Sequence, residues 1–205
     1  MRPIRVRAEA GASAGAGGRR MRSTTILGLV REGCAALGGD GQVTVGSTIL
    51  KANAHKTRRL AGGAVLAGFA GSAADGLQLF ERFESRLETF HGNLRRAAVE
   101  LATDWRRDRI LRRLDAQLVA VNRELALLIT GSGEIIEPDD GIVAVGSGGS
   151  YALAACRALL RHTSLTPAET VAESLRIASE ICIYTGGLIE IHTLPEETPG
   201  APGRG

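Results

Sequence analysis

Thr24 and Thr25 head a β-like run, Thr24-Thr25-Ile26-Leu27-Gly28-Leu29-Val30. A hydroxyl at that place becomes a nucleophile with its own base if the chain is cut just before it. The cut frees an α-amino group beside the threonine Oγ. An α-amine titrates at about 7.7–8.0, so part of it can accept a proton at neutral pH, whereas a lysine amine at about 10.4 cannot without a large shift. Thr-Thr at a strand start has a plain reading too, as two β-branched residues on a pleated surface.

The segments that follow carry further chemistry in a definite order. They are Gly38-Gly39-Asp40-Gly41-Gln42, Gly46-Ser47-Thr48, and Lys51 through Leu60 with Lys56 at its centre. Then come Ala67-Gly68-Phe69-Ala70-Gly71, Val145-Gly146-Ser147-Gly148-Gly149-Ser150 and Ile181-Cys182-Ile183-Tyr184-Thr185. Taken singly, each has a structural reading. Asp40-Gly41 is a turn signal. Lys56 lies in a basic stretch with Lys51, Arg58 and Arg59, as solvated faces do. Ser147 sits in a glycine-rich loop.

Taken in order, these segments resemble the HslV (ClpQ) family, the peptidase subunits of bacterial ATP-dependent proteases and relatives of the proteasome β subunits. The resemblance runs from about Thr24 to about Glu196. It implies a threonine endopeptidase with Thr24 as N-terminal nucleophile and Asp40 and Lys56 as its acidic and basic partners. Ser147 matches the serine near the threonine amine, and Gly68 the glycine whose N–H serves as oxyanion donor. An ammonium at Lys56 would lower the pKa of the Thr24 hydroxyl, and a carboxylate at Asp40 would keep that lysine charged and oriented. Glycine at 68 would let the backbone approach a substrate carbonyl.

The resemblance also implies assembly and ions. Subunits would stack as a double hexameric ring. An AAA+ unfoldase, HslU (ClpY), would spend the ATP and feed in unfolded protein; the chain itself needs no cofactor for its chemistry. A structural or regulatory Na+ or Mg2+ would be held by backbone oxygens at Ser179, Cys182 and Thr185. The family usually has glycine where this chain has Ser179, so that carbonyl serves only if the backbone does not need φ > 0 there. The four histidines show no metal-ligand spacing.

Composition bounds the alternatives. At 205 residues the chain suggests one domain with a sizeable core. A net charge of +3 does not call for nucleic acid. The cluster Arg106, Arg107, Arg109, Arg112 and Arg113 is interspersed with Asp104, Asp108 and Asp115 and reads as a mixed-charge helix face. With so few aromatics there is no stacking platform for single strands. No apolar run approaches the roughly 18 residues of a membrane span. Cys34, Cys156 and Cys182 are odd in number and far apart, fitting reduced thiols in a cytoplasmic protein.

The elements that must position these residues follow from periodicity and punctuation. Residues 1–23 are basic and then low-complexity, and read as a disordered extension or pro-segment; Met21 is an alternative start. Glu9 and the glycines argue against a mitochondrial presequence, and there is no secretory core. Two strands are expected over 24–45 around an Asp40-Gly41 turn, then strands near 48–51 and 64–70. Phe80, Phe83, Leu87 and Phe90, then Leu94, Ala98, Leu101 and Trp105, recur at helical spacing. Strands follow near 119–130, 134–137 and 141–145. A helix runs from the glycines at 148–149 to about His162, and another opens at Thr166-Pro167-Ala168-Glu169, a capping box with proline in its first turn. A strand at 187–193 completes the domain, 24–196, and 197–205 forms a tail. This order suits an α+β fold of two stacked antiparallel sheets with a helix pair on each outer face. The resemblance implies the same: the four-layer αββα sandwich of N-terminal-nucleophile hydrolases.

Other readings remain. Gly146-Ser147-Gly148-Gly149 between a strand and a helix imitates a dinucleotide-binding turn, but the acid at the right distance, Glu169, lies in a helix and not at a second strand's end. Within the fold, the chain could be an amidohydrolase of small amides or a non-catalytic ring subunit. The Lys56 and Gly-Ser-Gly-Gly matches favour the peptidase, and the intact Thr24, Asp40 and Lys56 set argues against a silent subunit.

Overall fold

The computed structural model describes residues 24–71, 73–108 and 116–195. The expected N-terminal extension and C-terminal tail, and Arg109, Arg112, Arg113 and Asp115 of the basic cluster, lie outside these residues.

The chain opens with a hairpin, β1 (Thr25–Arg31) and β2 (Cys34–Asp40). Its turn is at Glu32-Gly33, where φ is 53° and 75°, not at Asp40-Gly41 as expected. Two successive positive φ values match the twist of a tight hairpin. The signal was masked because a glutamate fills the first left-handed position. Asp40-Gly41 is instead the corner where the chain leaves the first sheet for a small ribbon, β3 (Val43–Val45) and β4 (Thr48–Lys51).

The second sheet begins with β5 (Thr57–Leu60), a strand hidden in the basic stretch. Its Thr57 and Leu60 are buried while Arg58 points outward and lies over the Phe80 ring, 5.3 Å from its centre. β6 (Val65–Gly71) follows, then helices α1 (Ala73–Thr89) and α2 (Leu94–Arg107). The expected strand at 119–130 is two, β7 (Ala116–Val121) and β8 (Ala126–Thr130). Between them Asn122 Oδ1 accepts the N–H groups of Glu124 and Leu125, a side-chain-built turn inside an otherwise apolar run. Then come β9 (Ile135–Ile136), β10 (Ile142–Gly146), α3 (Gly149–His162), α4 (Pro167–Ile181) and β11 (Ile189–Leu194). The capping box at Thr166 and Glu169 forms as expected.

The sheets have strand orders β10-β1-β2-β11 and β5-β6-β7-β8-β9, with antiparallel pairing throughout. Three apolar layers hold them. One lies between the sheets, around Ile26, Leu37, Leu66, Val119 and Val143. One joins α1 and α2 to the second sheet through Phe80, Phe83, Leu87, Leu101 and Trp105. One joins α3 and α4 to the first sheet through Leu27, Leu29, Ala152, Cys156, Val171 and Leu175. The expected αββα sandwich is therefore present. The mixed-charge face of α2 pairs with α1: Arg86 donates to Asp104 and Arg82 to Asp108. All three cysteines are free, and burial pushes the Cys156 thiol up to about 11.

Candidate active site

Strand alternation separates the two threonines. Ile26 faces the core between the sheets, while Leu27 and Leu29 face α3 and α4. With a period of two, Thr24 shares the inter-sheet face and Thr25 the helix face. The Thr25 hydroxyl is committed there: it lies 2.7 Å from Thr185 Oγ1 and accepts the Gly148 N–H at 3.0 Å. Of the two hydroxyls, Thr24 is the one that faces the cleft between the sheets.

Asp40, at the end of β2, is fully buried and collects donors from three segments. Its Oδ1 accepts the Thr25 N–H at 2.6 Å and its Oδ2 the N–H groups of Gln42 and Gly186 at 2.9 and 3.0 Å. Lys56 Nζ lies 3.5 Å from the same Oδ1, with both side chains buried, and also donates to the Gln42 carbonyl. The ammonium and the Thr24–Thr25 peptide therefore converge on one carboxylate oxygen. Burial pulls the Lys56 pKa below its usual value, and the Asp40 charge and hydrogen bond oppose that pull. A buried lysine kept beside a carboxylate is poised to act electrostatically.

Ser147 reaches the same place through its backbone: its N–H donates to the Thr24 carbonyl at 2.9 Å. Gly146, with φ at 89°, makes this possible, since a Cβ there would stand 1.8 Å from the Thr24 oxygen. The loop N–H groups are thus spent on Thr24 and Thr25, and β10 runs antiparallel to β1. Both facts exclude the dinucleotide-turn reading, which needs free N–H groups after a parallel strand.

Gly68 departs from its expected role. The Phe69 N–H donates to the Lys56 carbonyl on the β5 side. In an antiparallel ladder adjacent N–H groups point to opposite neighbours, so the Gly68 N–H faces β7, where Val119 is its partner. It is a rung of the sheet, not a donor to the cleft. What Gly68 supplies is space: a Cβ would lie 2.8 Å from Ile26 Cγ2 and 3.3 Å from Thr57 Cγ2. Gly71, three residues on and missed in the sequence, ends β6 with φ at 140°. Its N–H points to the Phe69 side, beyond Thr57, where β5 stops.

Ser179, Cys182 and Thr185 sit together at the C-terminal end of α4. The last helical bond runs from the Cys182 N–H to the Ala178 carbonyl, and the Cys182 carbonyl accepts the Thr185 N–H. Ser179 lies within the helix and is not among the positive-φ residues, so the glycine usual there is not required. Among the described residues no group of three His, Cys, Asp or Glu could hold a metal ion, and no helix is long and apolar enough to cross a membrane.

Comparison with known proteins agrees with this geometry. The pattern for the family described as "Proteasome subunit" matches residues 21–194. The ATP-dependent protease subunit HslV of Chlorobium luteolum is 56% identical over 171 residues, covering 83% of this chain and 94% of that protein. The crystal structure of eukaryotic HslV from Trypanosoma brucei superposes with a TM-score of 0.78 at 42% identity, over 82% of this chain and 98% of that one. Thiobacillus denitrificans BPH, solved with epoxomicin, shares the fold at a TM-score of 0.68 and 21% identity, over 85% and 100% of the two chains. The chain belongs to the proteasome-subunit family, as a threonine-type peptidase subunit of the HslV group of ATP-dependent proteases.

Proposed function

We propose that Thr24 is the nucleophile and that the full chain is its zymogen. In the full chain the Thr24 nitrogen is in a peptide bond with Ser23. Thr24 Oγ attacks the Ser23 carbonyl carbon, the Ser23–Thr24 C–N bond breaks as the nitrogen takes up a proton, leaving an ester and a free α-amine, and water hydrolyses the ester to release the pro-segment as a carboxylate and restore the Thr24 hydroxyl. In turnover the amine takes the Oγ proton as Oγ bonds to the scissile carbonyl, then passes it to the leaving nitrogen. Water returns the acyl-enzyme to the free hydroxyl.

The observation that carries this reading is the convergence of the Lys56 ammonium and the Thr25 N–H on Asp40 Oδ1. It fixes a positive charge beside the first strand residue, where it stabilises a developing alkoxide. Ser147 assists the amine and does not attack. The oxyanion donor is the Gly71 N–H, which emerges past the last β5 rung, in place of Gly68.

A Na+ or Mg2+ at the Ser179, Cys182 and Thr185 carbonyls fits the helix C-terminus, whose last carbonyls lack intrahelical partners and carry partial negative charge. Such an ion would stiffen the loop whose Thr185 holds Thr25. The working particle is a double hexameric ring in the cytoplasm, fed unfolded protein by an HslU-type AAA+ ATPase; the matched relative's name, a subunit of an ATP-dependent protease, supports the assembly and the need for an ATPase. Intact-mass analysis of the purified protein should show loss of everything through Ser23, and Thr24→Ala should block both that loss and peptide hydrolysis. A fully active protein that retains residues before Thr24 would overturn the assignment.

A further inference from the structure

One polar cluster beside the site takes no part in the chemistry above. Thr57, the neighbour of Lys56, is almost fully buried. Its hydroxyl donates to Glu190 Oε2 at 3.1 Å, and His192 Nε2 lies 3.1 Å from the same Oγ1. His192 Nε2 is also 3.6 Å from Glu190 Oε1, and His55 Nδ1 is 3.2 Å from Glu190 Oε2. Because the Thr57 proton goes to the carboxylate, the Thr57 oxygen can only accept from His192, which must therefore carry its proton on Nε2. The chain of bonds runs His192 to Thr57 to Glu190, with His55 capping the outer end.

The cluster joins two different sheets. Glu190 and His192 belong to β11, the edge of the first sheet, and Thr57 to β5, the edge of the second. Glu190 is the Cα partner of Gly39 and His192 of Leu37, so both stand on the inter-sheet face. The Thr57 methyl fills the space that two glycines leave: it is 3.1 Å from a Cβ built at Gly39 and 3.3 Å from one built at Gly68. β11 and the residues leading into it also hold the other half of the lysine's environment. Ile189 pairs with Asp40, the Leu188 carbonyl accepts the Gly41 N–H, and the Gly186 N–H donates to Asp40 Oδ2. One segment thus grips both Asp40 and the residue next to Lys56.

We propose that Glu190 and His192 are positioning residues for Lys56, acting through the Thr57 hydroxyl. They lock β5 against β11, so that Nζ is held to Asp40 Oδ1 and not merely near it. The inference rests on Lys56 as the electrostatic partner of Thr24. Loss of the clamp lets the lysine drift from Asp40. The charge that raises its pKa then weakens while its burial remains, so the lysine loses its proton at lower pH. Among the described residues the titratable groups facing this region are Asp40 from β2, Arg59 on the Thr57 face of β5, Glu190 and His192 from β11 and His55 before β5.

The test uses the mature assembly, a fluorogenic peptide, and the pH dependence of kcat. Thr57→Val keeps the methyl packing and removes the hydroxyl. It should lower kcat about tenfold with KM nearly unchanged, less than the roughly hundredfold that a 1 Å misplacement can cost, and move the alkaline limb to lower pH. Thr57→Ser keeps the hydroxyl and loses the methyl. It should lower thermal stability yet leave the limb where the wild type has it. Glu190→Gln should follow Thr57→Val, with ring assembly intact by size-exclusion chromatography. If Thr57→Val and Glu190→Gln lose stability but keep the wild-type kcat and limb, the cluster is only a structural tie and the proposal fails. In that outcome an inactive Thr24→Ala still upholds the nucleophile assignment, so the two readings fail separately.

Discussion

The two helix layers cover their sheets in different ways. α1 and α2 cover the second sheet with thick side chains: Phe80, Phe83, Leu87, Leu101 and Trp105 are all essentially inaccessible. α3 and α4 cover the first sheet with small and polar ones, including Ala152, Cys156, Thr170, Ser174 and Ala178. A glycine of the first sheet, Gly38, makes room for the larger side chains of α4. At Gly38 an added Cβ would stand 2.7 Å from Leu175 and 2.9 Å from Val171. That closeness lets the loops at the ends of α3 and α4 touch the first strand, through Ser147 and Gly148 on one side and Thr185 on the other. One layer supplies apolar burial and the other supplies reach. A thick core stabilises strongly and tolerates distance, whereas a site built from backbone N–H groups needs close approach.

The largest expected effect breaks the thick layer alone. Phe83→Ala should cost about 3–5 kcal/mol of stability, the usual range for emptying a buried aromatic site. Chemical unfolding checks it, and the protein that remains folded should keep the wild-type KM. If activity per folded subunit also collapsed, the separation between the layers would be wrong.

Next is Lys56→Met, which keeps the aliphatic stem and removes the charge. Peptide hydrolysis should fall about 10²–10³-fold, the usual effect of losing one electrostatic stabiliser. Stability should change far less, because Asp40 keeps its three N–H donors. Steady-state kinetics and a melting curve on one preparation decide it. Ser147→Ala should do less damage to the rate than Lys56→Met.

Asp40→Asn sharpens the electrostatic side. The carboxylate raises the Lys56 pKa against the stronger lowering by burial. Its removal should lower that pKa further, so the alkaline limb of the rate profile should move to lower pH. A limb that moved up or stayed fixed would show that the observed ionisation is not that of Lys56.

The smallest expected effect lies in the thin layer. Thr170 is fully buried, and among the described residues its Oγ1 lacks a hydrogen-bond partner. Thr170→Val has the same shape without the unsatisfied group. It should raise stability by about 1 kcal/mol and leave peptide hydrolysis unchanged, as a denaturant midpoint and an assay would show.

Much of this was legible in the residues because the signals are local. The apolar periods of α1 and α2, the capping box of α4 and the alternation in β1 each depend on side chains within a turn or a strand pair. The order of motifs then carried the family, and with it the expectation for Thr24, Asp40, Lys56 and Ser147. β5 was hidden because edge strands accept long basic side chains on their outer face. The Asn122 turn was hidden inside an apolar run, and the Glu32-Gly33 turn behind a residue that rarely adopts positive φ.

By itself the sequence determined the layer order, the ends of α3, the start of α4 and the set of residue types that could act, because these follow from spacing and hydropathy along the chain. Only the tertiary structure decided which threonine faces the cleft, that Gly68 is a rung and a gap and not an open donor, and that Thr57, Glu190 and His192 meet beside Lys56. Those depend on which strand lies next to which and on the direction of each N–H, and contacts between residues more than 130 positions apart leave no periodic trace in the chain.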